Sequence, residues 1–174
     1  MKRVAIIGSP GTGKSTFAKQ LAVKTGLPLI HLDYYYHENQ HNYQTDKEAW
    51  TAKTTEMTHR ESWIIDGNFG RTLAHRLRQA DTIFYFNMST TLALKGVVRR
   101  WATAKRTKRP DMPDDWQEKP SWSFFWYVLR FRHKYATDTQ QLLEQNKDKV
   151  VVFKNHNQIA EYLKKYLIRH CKTL

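Results

Sequence analysis

Nine consecutive residues near the start of the chain, Gly8-Ser9-Pro10-Gly11-Thr12-Gly13-Lys14-Ser15-Thr16, restrict its possible folds more than any other feature. They follow the pattern G-x-x-x-x-G-K-[ST], a glycine-rich loop whose backbone N–H groups turn inward to cradle phosphate oxygens. The flanks agree with that reading. Val4-Ala5-Ile6-Ile7 is an unbroken apolar run, suited to a parallel strand buried on both faces, and Phe17-Ala18-Lys19-Gln20-Leu21-Ala22 suits a helix. Gly8, Gly11 and Gly13 let the backbone pass through conformations that side chains resist, and the following helix points its positive end at the loop. The nine residues are therefore expected to bind nucleotide phosphates. Lys14 would reach the β- and γ-phosphates as a compact charge, and the Ser15 hydroxyl would be a ligand for Mg²⁺. The expected ligands are ATP or GTP with Mg²⁺. A glycine-rich turn that binds nothing is the plainer alternative.

A chain of 174 residues with 40% apolar content suits one domain with a substantial core. The net charge of +13 points to anionic partners. Nucleotides satisfy it, and nucleic acid or an acidic membrane surface would as well. A single cysteine, Cys171, excludes an internal disulfide framework and suits a reducing compartment. The first residues run straight into a strand, so no signal peptide is expected, and no apolar run approaches the ~20 residues needed to cross a bilayer. The expected setting is a cytoplasmic monomer or homodimer.

Taken in order, the pattern predicts strands over 2–8, 29–32, 63–65, 81–87 and 149–153. Helices are predicted over 14–24, 47–60, 71–79, 90–104, 122–145 and 159–168. Residues 34–45 read as an irregular surface segment, and 105–120, broken by Pro110, Pro113 and Pro120, as a loop. Short apolar strands alternating with helices imply an α/β fold, a parallel sheet covered on both faces. Right-handed crossovers place every strand's C-terminal end on one edge, where ligands bind. Gly8, Asp33, Asp66 and Asn87 should therefore face a common cleft, which is the main argument for an enzyme.

Asp66 closes the run Trp63-Ile64-Ile65 in the form hhhD, the position for a carboxylate near a Mg²⁺ shell, although a turn-capping aspartate would look the same. Asp33 ends the second strand, where it could accept a proton from an attacking hydroxyl, hold an acceptor or cap a turn. Asp81 begins a strand at the opposite edge and reads as a cap. The eight histidines show no metal-ligand spacing. The basic run Lys105-Arg106-Thr107-Lys108-Arg109 has three readings: a lid whose Arg106 and Arg109 close over phosphates, a solvated face, or a nucleic-acid contact. Phe124, Tyr127 and Phe131 lie at helical spacing and read as core. Trp116 and Trp122 fall outside that stripe, where they could stack on a base or a ring-bearing acceptor.

The P-loop, Ile64-Ile65-Asp66-Gly67-Asn68-Phe69, Arg106-Thr107-Lys108-Arg109-Pro110-Asp111-Met112 and the aromatic helix after Pro120 resemble the bacterial DNA topology modulation (FlaR-related) proteins over nearly the whole chain. That group is similar in turn to the adenylate kinase and shikimate kinase superfamily. The resemblance implies a three-layer P-loop fold, with a five-stranded parallel sheet of order 2-3-1-4-5 and a lid over 105–120 that carries arginines. It places Asp66 near Mg²⁺, Asp33, Gly67 and Asn68 at the acceptor, and Arg71 close to the arginine that holds an acceptor phosphate. The chain has Asn68-Phe69-Gly70 where that stretch carries a proline. The resulting expectation is a Mg²⁺-dependent kinase moving the γ-phosphate of ATP to a small acceptor, a nucleoside monophosphate or another small metabolite. Lys14, Asp33, Arg106 and Arg109 would be its catalytic residues. The alternative is a nucleotide-dependent DNA-binding regulator. A plain ATPase is disfavoured, because no glutamate stands beside Asp66 to activate water.

Overall fold

The structure, a computed structural model, describes residues 1–38, 43–103, 112–113 and 120–170. Among these residues, five strands form one parallel sheet in the order β2-β3-β1-β4-β5. They are β1 (Arg3–Gly8), β2 (Leu29–His31), β3 (Trp63–Asp66), β4 (Thr82–Phe86) and β5 (Val150–Phe153). The helices are α1 (Lys14–Thr25), α2 (Leu32–Tyr36), α3 (Lys47–Thr58), α4 (Gly70–Gln79), α5 (Thr90–Thr103), α6 (Trp122–Glu144) and α7 (His156–His170). The expected α/β class and strand order are both present.

Strand parity divides the core. Val4, Ile6, Ile64, Phe84 and Phe86 project to one face and pack with Phe17, Ala18 and Leu21 of α1 and Ile159 and Leu163 of α7. Ala5, Ile7, Ile65 and Ile83 project to the other face, against Trp50 and Met57 of α3 and Leu73 and Leu77 of α4. Because both faces are covered, β1 is apolar at every position from Val4 to Ile7, which is why it reads as a continuous run. A third small cluster joins α5 to α6 through Ala93, Val97 and Val128. At the edge opposite the P-loop, Asp81 Oδ2 accepts the Lys2 and Arg3 N–H groups at 2.7 and 2.9 Å and ties the start of β1 to that of β4.

Two elements differ from the expectation. Leu32–Tyr36 is a five-residue helix, so Asp33 lies in a helical first turn and does not end a strand. Five residues are too few for a 3.6-residue period to register in the sequence. Tyr36 packs on Trp50 and Phe69 at 5.1 and 4.8 Å between ring centroids, and Tyr43 on Trp50 at 5.4 Å, so part of the expected surface segment is core. The last helix starts at His156, three residues earlier than its apolar pattern, because its first turn is polar and capped by Asn155 Oδ1, which accepts the Gln158 N–H at 3.0 Å. Of the expected lid, residues 105–111 and 114–119 lie outside the described residues, with Arg106, Arg109 and Trp116 among them, and so does Cys171. Among the described residues, no helix is long and apolar enough to cross a membrane.

Candidate active site

The site is built at the C-terminal edge of β2, β3, β1 and β4, where the register pairs His31 with Asp66, Ile6 with Asp66, and Gly8 with Phe86. The chain leaves β1 at Gly8, whose φ of 128° is in the region that favours glycine, and a Cβ there would run into the Phe86 backbone. Ser9 N–H donates to the Phe86 carbonyl at 3.2 Å, Thr12 Oγ1 donates to the Ser9 carbonyl at 2.7 Å, and Lys14 Nζ lies on the same carbonyl at 2.8 Å. The side chains of Ser9 and Thr12 are buried, so they hold the loop's shape. Pro10, Gly11, Lys14 and Ser15 are half-buried, and Gly13 and Thr16 are exposed. The loop also rests on α5, because Gly11 and Gly96 approach backbone to backbone.

Asp66 is 5% exposed, and its Oδ2 accepts a hydrogen bond from His31 Nδ1 at 3.1 Å. Its Oδ1 is buried without a hydrogen-bond partner, and so is His31 Nε2. Asp66 is two residues beyond Ile64, so its side chain points to the face that α1 covers, the helix whose second residue is Ser15. An unsatisfied carboxylate oxygen in such a place calls for a further partner. Among the described residues, no group of three or more His, Cys, Asp or Glu could hold a metal by itself. One carboxylate and one hydroxyl suit Mg²⁺, which fills its remaining positions with phosphate oxygens and water. The residues present therefore fit that ion.

The three residues after Asp66 turn the chain from β3 to α4. Gly67 N–H donates to the Ile6 carbonyl at 3.2 Å. Asn68 grips both backbone groups of Gly8: its Oδ1 accepts the Gly8 N–H and its Nδ2 donates to the Gly8 carbonyl, each at 2.9 Å. Asn68, expected at the acceptor, holds the first residue of the glycine-rich loop in this geometry. Phe69, at φ 35°, packs its ring against both Tyr36 and Trp50. Arg76, fully buried, closes the turn from beneath. Its Nη1 donates to the Gly67 carbonyl at 2.8 Å, its Nη2 to the Asn68 and Phe69 carbonyls, and its Nε to Thr72 Oγ1 at 3.3 Å. Burial pulls the guanidinium down to about 9 from its ordinary 12.5, against the opposing pull of the Asp66 charge.

The remaining expected acceptor residues sit on two helices. Asp33 is half-buried in the first turn of α2. Arg71 is exposed at the start of α4 and faces α3 across an open cleft of about 660 Å³, lined also by Glu48, Thr51, Thr55, Glu56 and His59. No residue of the Gly8–Thr16 loop lines that cleft. His31 and Arg76 are the residues that reading the sequence passed over. Arg76 did leave a signal, because it shares the buried stripe of Leu73 and Leu77 on α4.

No protein-family model matches the chain, and no curated protein sequence matches it. Solved structures share its fold over almost its entire length. The shikimate kinase of Bacteroides thetaiotaomicron superposes with a TM-score of 0.62 at 17% identity, covering 99% of each chain. A gluconokinase from Sinorhizobium meliloti 1021 gives 0.57 at 15%, covering 96% of this chain and 90% of its own. The deoxyadenosine kinase of M. mycoides gives 0.51 at 14%, covering 98% and 99%. The chain thus shares the fold of these three proteins, a five-stranded parallel sheet of order 2-3-1-4-5 with helices around it.

Proposed function

We propose that this protein is a Mg²⁺-dependent kinase that transfers the γ-phosphate of ATP to a hydroxyl or phosphate oxygen of a small acceptor. The observation that carries the reading is the meeting, on one sheet edge, of the Gly8–Thr16 cradle with a buried Asp66 whose Oδ1 lacks a partner. The shared fold with small-molecule kinases supports it. The loop N–H groups and Lys14 hold the phosphates, and an acceptor oxygen attacks the γ-phosphorus as the bond to the β–γ bridging oxygen breaks, releasing ADP. Bound Mg²⁺, held by Ser15 and Asp66, would supply charge neutralisation across the phosphates. Asp33 takes the acceptor proton or orients the acceptor, and Arg71 is positioned at the start of α4 to meet an anionic group. Arg106 and Arg109 are assigned, on the family resemblance, to charge stabilisation during transfer.

The test is transfer from γ-labelled ATP with Mg²⁺ across nucleoside monophosphates, nucleosides and small hydroxylated metabolites, with Lys14→Ala alongside. Label in one acceptor, lost in the variant, is the expected result. Transfer that survives in Lys14→Ala refutes the reading. The net charge of +13 favours a second reading, a nucleotide-dependent regulator of DNA topology. That reading requires duplex binding that responds to ATP and weakens steeply with salt, whereas equal binding with and without ATP refutes it.

A further inference from the structure

Asn68 and Arg76 form a chain of contacts ending at the phosphate loop. Asn68 reaches across 60 residues of sequence to hold Gly8, the residue at which β1 gives way to the loop. One side-chain amide meeting both the N–H and the carbonyl of one residue ties down the two peptide planes that flank it, and so the turn of the chain at that residue. The Asn68 amide can do so only while its own backbone is held. That backbone lies between Gly67 at φ 141° and Phe69 at φ 35°, two positive-φ residues on either side of it, the second with a bulky side chain. Neighbours must hold such a turn in place. Arg76 does this by donating to all three carbonyls of residues 67 to 69, and Thr72 Oγ1 adds a bond to the Phe69 carbonyl at 3.3 Å. A guanidinium presents several donors in a fixed fork, which an ammonium does not. A neutral amide in place of Asn68 is also required, because Asp would turn an oxygen towards the Gly8 carbonyl.

We propose that Arg76 and Asn68 are positioning residues for nucleotide binding, acting in series: the Arg76 guanidinium sets the 67–69 turn, and the Asn68 amide carried by that turn sets the entry of the phosphate loop. The proposal rests on the reading of the loop as a nucleotide site, but not on the identity of the acceptor or on transfer. Gly8 is the pivot from which the N–H groups of the loop diverge, so a small rotation there misaims them all. Neither residue need touch the nucleotide.

The experiment measures the dissociation constants of ATP, ADP and adenosine by calorimetry, at a temperature where circular dichroism shows each protein folded. Asn68→Ala and Asn68→Asp should weaken ATP and ADP by about tenfold or more, the scale of losing one or two hydrogen bonds, and leave adenosine unchanged. A purely structural role would lower the melting temperature and leave the nucleotide constants of the folded protein alone, and that outcome overturns the proposal. Arg76→Lys should weaken the phosphorylated ligands similarly, and the double variant Arg76→Lys/Asn68→Ala should be no weaker than Asn68→Ala, because both changes break one series. Losses that add in full overturn the serial arrangement. If Arg76→Lys does not fold, Thr72→Val, which deprives Arg76 Nε of its acceptor, takes its place in the same cycle. Wild-type protein that binds neither ATP nor ADP would refute the underlying reading of the loop, and this inference with it.

Discussion

Replacing Gly96 by alanine sets two local rules against each other. Gly96 lies inside α5, where glycine is about 1 kcal/mol less favourable than alanine, so helix propensity alone predicts a more stable protein. The tertiary contact predicts the opposite. A Cβ at this position would overlap the Gly11 carbonyl oxygen and come within 2.9 Å of its carbonyl carbon. Carbon atoms rest about 3.5 Å apart or more, so α5 must retreat by more than about half an ångström, and further to clear the oxygen. The obstacle is backbone and cannot swing aside as a side chain would. Retreat also loosens Ala93 and Val97, fully buried one turn before and one residue after Gly96. Forced overpacking of this kind costs about 1–3 kcal/mol, and rigid backbone places this site at the upper end. After the gain in propensity, the net loss is about 2 kcal/mol. For a chain of 174 residues that lowers the melting temperature by roughly 4–8 °C. ATP affinity should fall as well, because the Gly11 carbonyl belongs to the phosphate loop. Urea and thermal unfolding together with ATP titration provide the assay. A variant as stable as wild type with unchanged ATP affinity would refute the argument.

Other changes probe other parts of the structure. Phe17→Ala should destabilise the fold by about 3–5 kcal/mol in urea unfolding, because Phe17 is 1% exposed and its ring packs 4.9 to 5.5 Å from those of Phe84, Phe86 and Phe153. Asp66→Asn keeps the shape of the side chain and removes its charge. It should abolish the gain in ATP affinity on adding Mg²⁺, while affinity in the presence of chelator stays near wild type. A gain that persists would remove Asp66 from the metal. Burial, with the charges of Arg78, His59 and Arg76, lowers His75 below its ordinary 6.5, and its Nε2 lies 2.9 Å from Thr58 Oγ1. The folded imidazole takes up a proton less readily than the unfolded one. Its contribution to stability is therefore intact above about pH 6.5 and declines as the pH falls from there through the lower folded value. Urea midpoints measured across that window should fall less steeply in His75→Asn than in wild type.

Much of this was legible in one dimension because its physics is local. The P-loop is nine adjacent residues, β1 is apolar from Val4 to Ile7 because both its faces are covered, and Asp66 is marked by the buried run it ends. Alternation of such runs with helical segments was enough to imply a parallel sheet whose strands all end at one edge. What surrounds the loop was not legible, because it depends on which strands become neighbours. His31 meets Asp66 only because β2 lies beside β3, and Asn68 reaches Gly8 only because β3 lies beside β1. Gly96 carries no mark in the sequence except as a poor helix residue, and its reason is the Gly11 carbonyl 85 positions away. The sequence by itself thus determined the loop that the proposed function rests on, through closely spaced glycines, a lysine and a hydroxyl. The tertiary structure alone decided how that loop is held, because its supports are single side chains on separate elements whose only common property is the place to which the fold brings them.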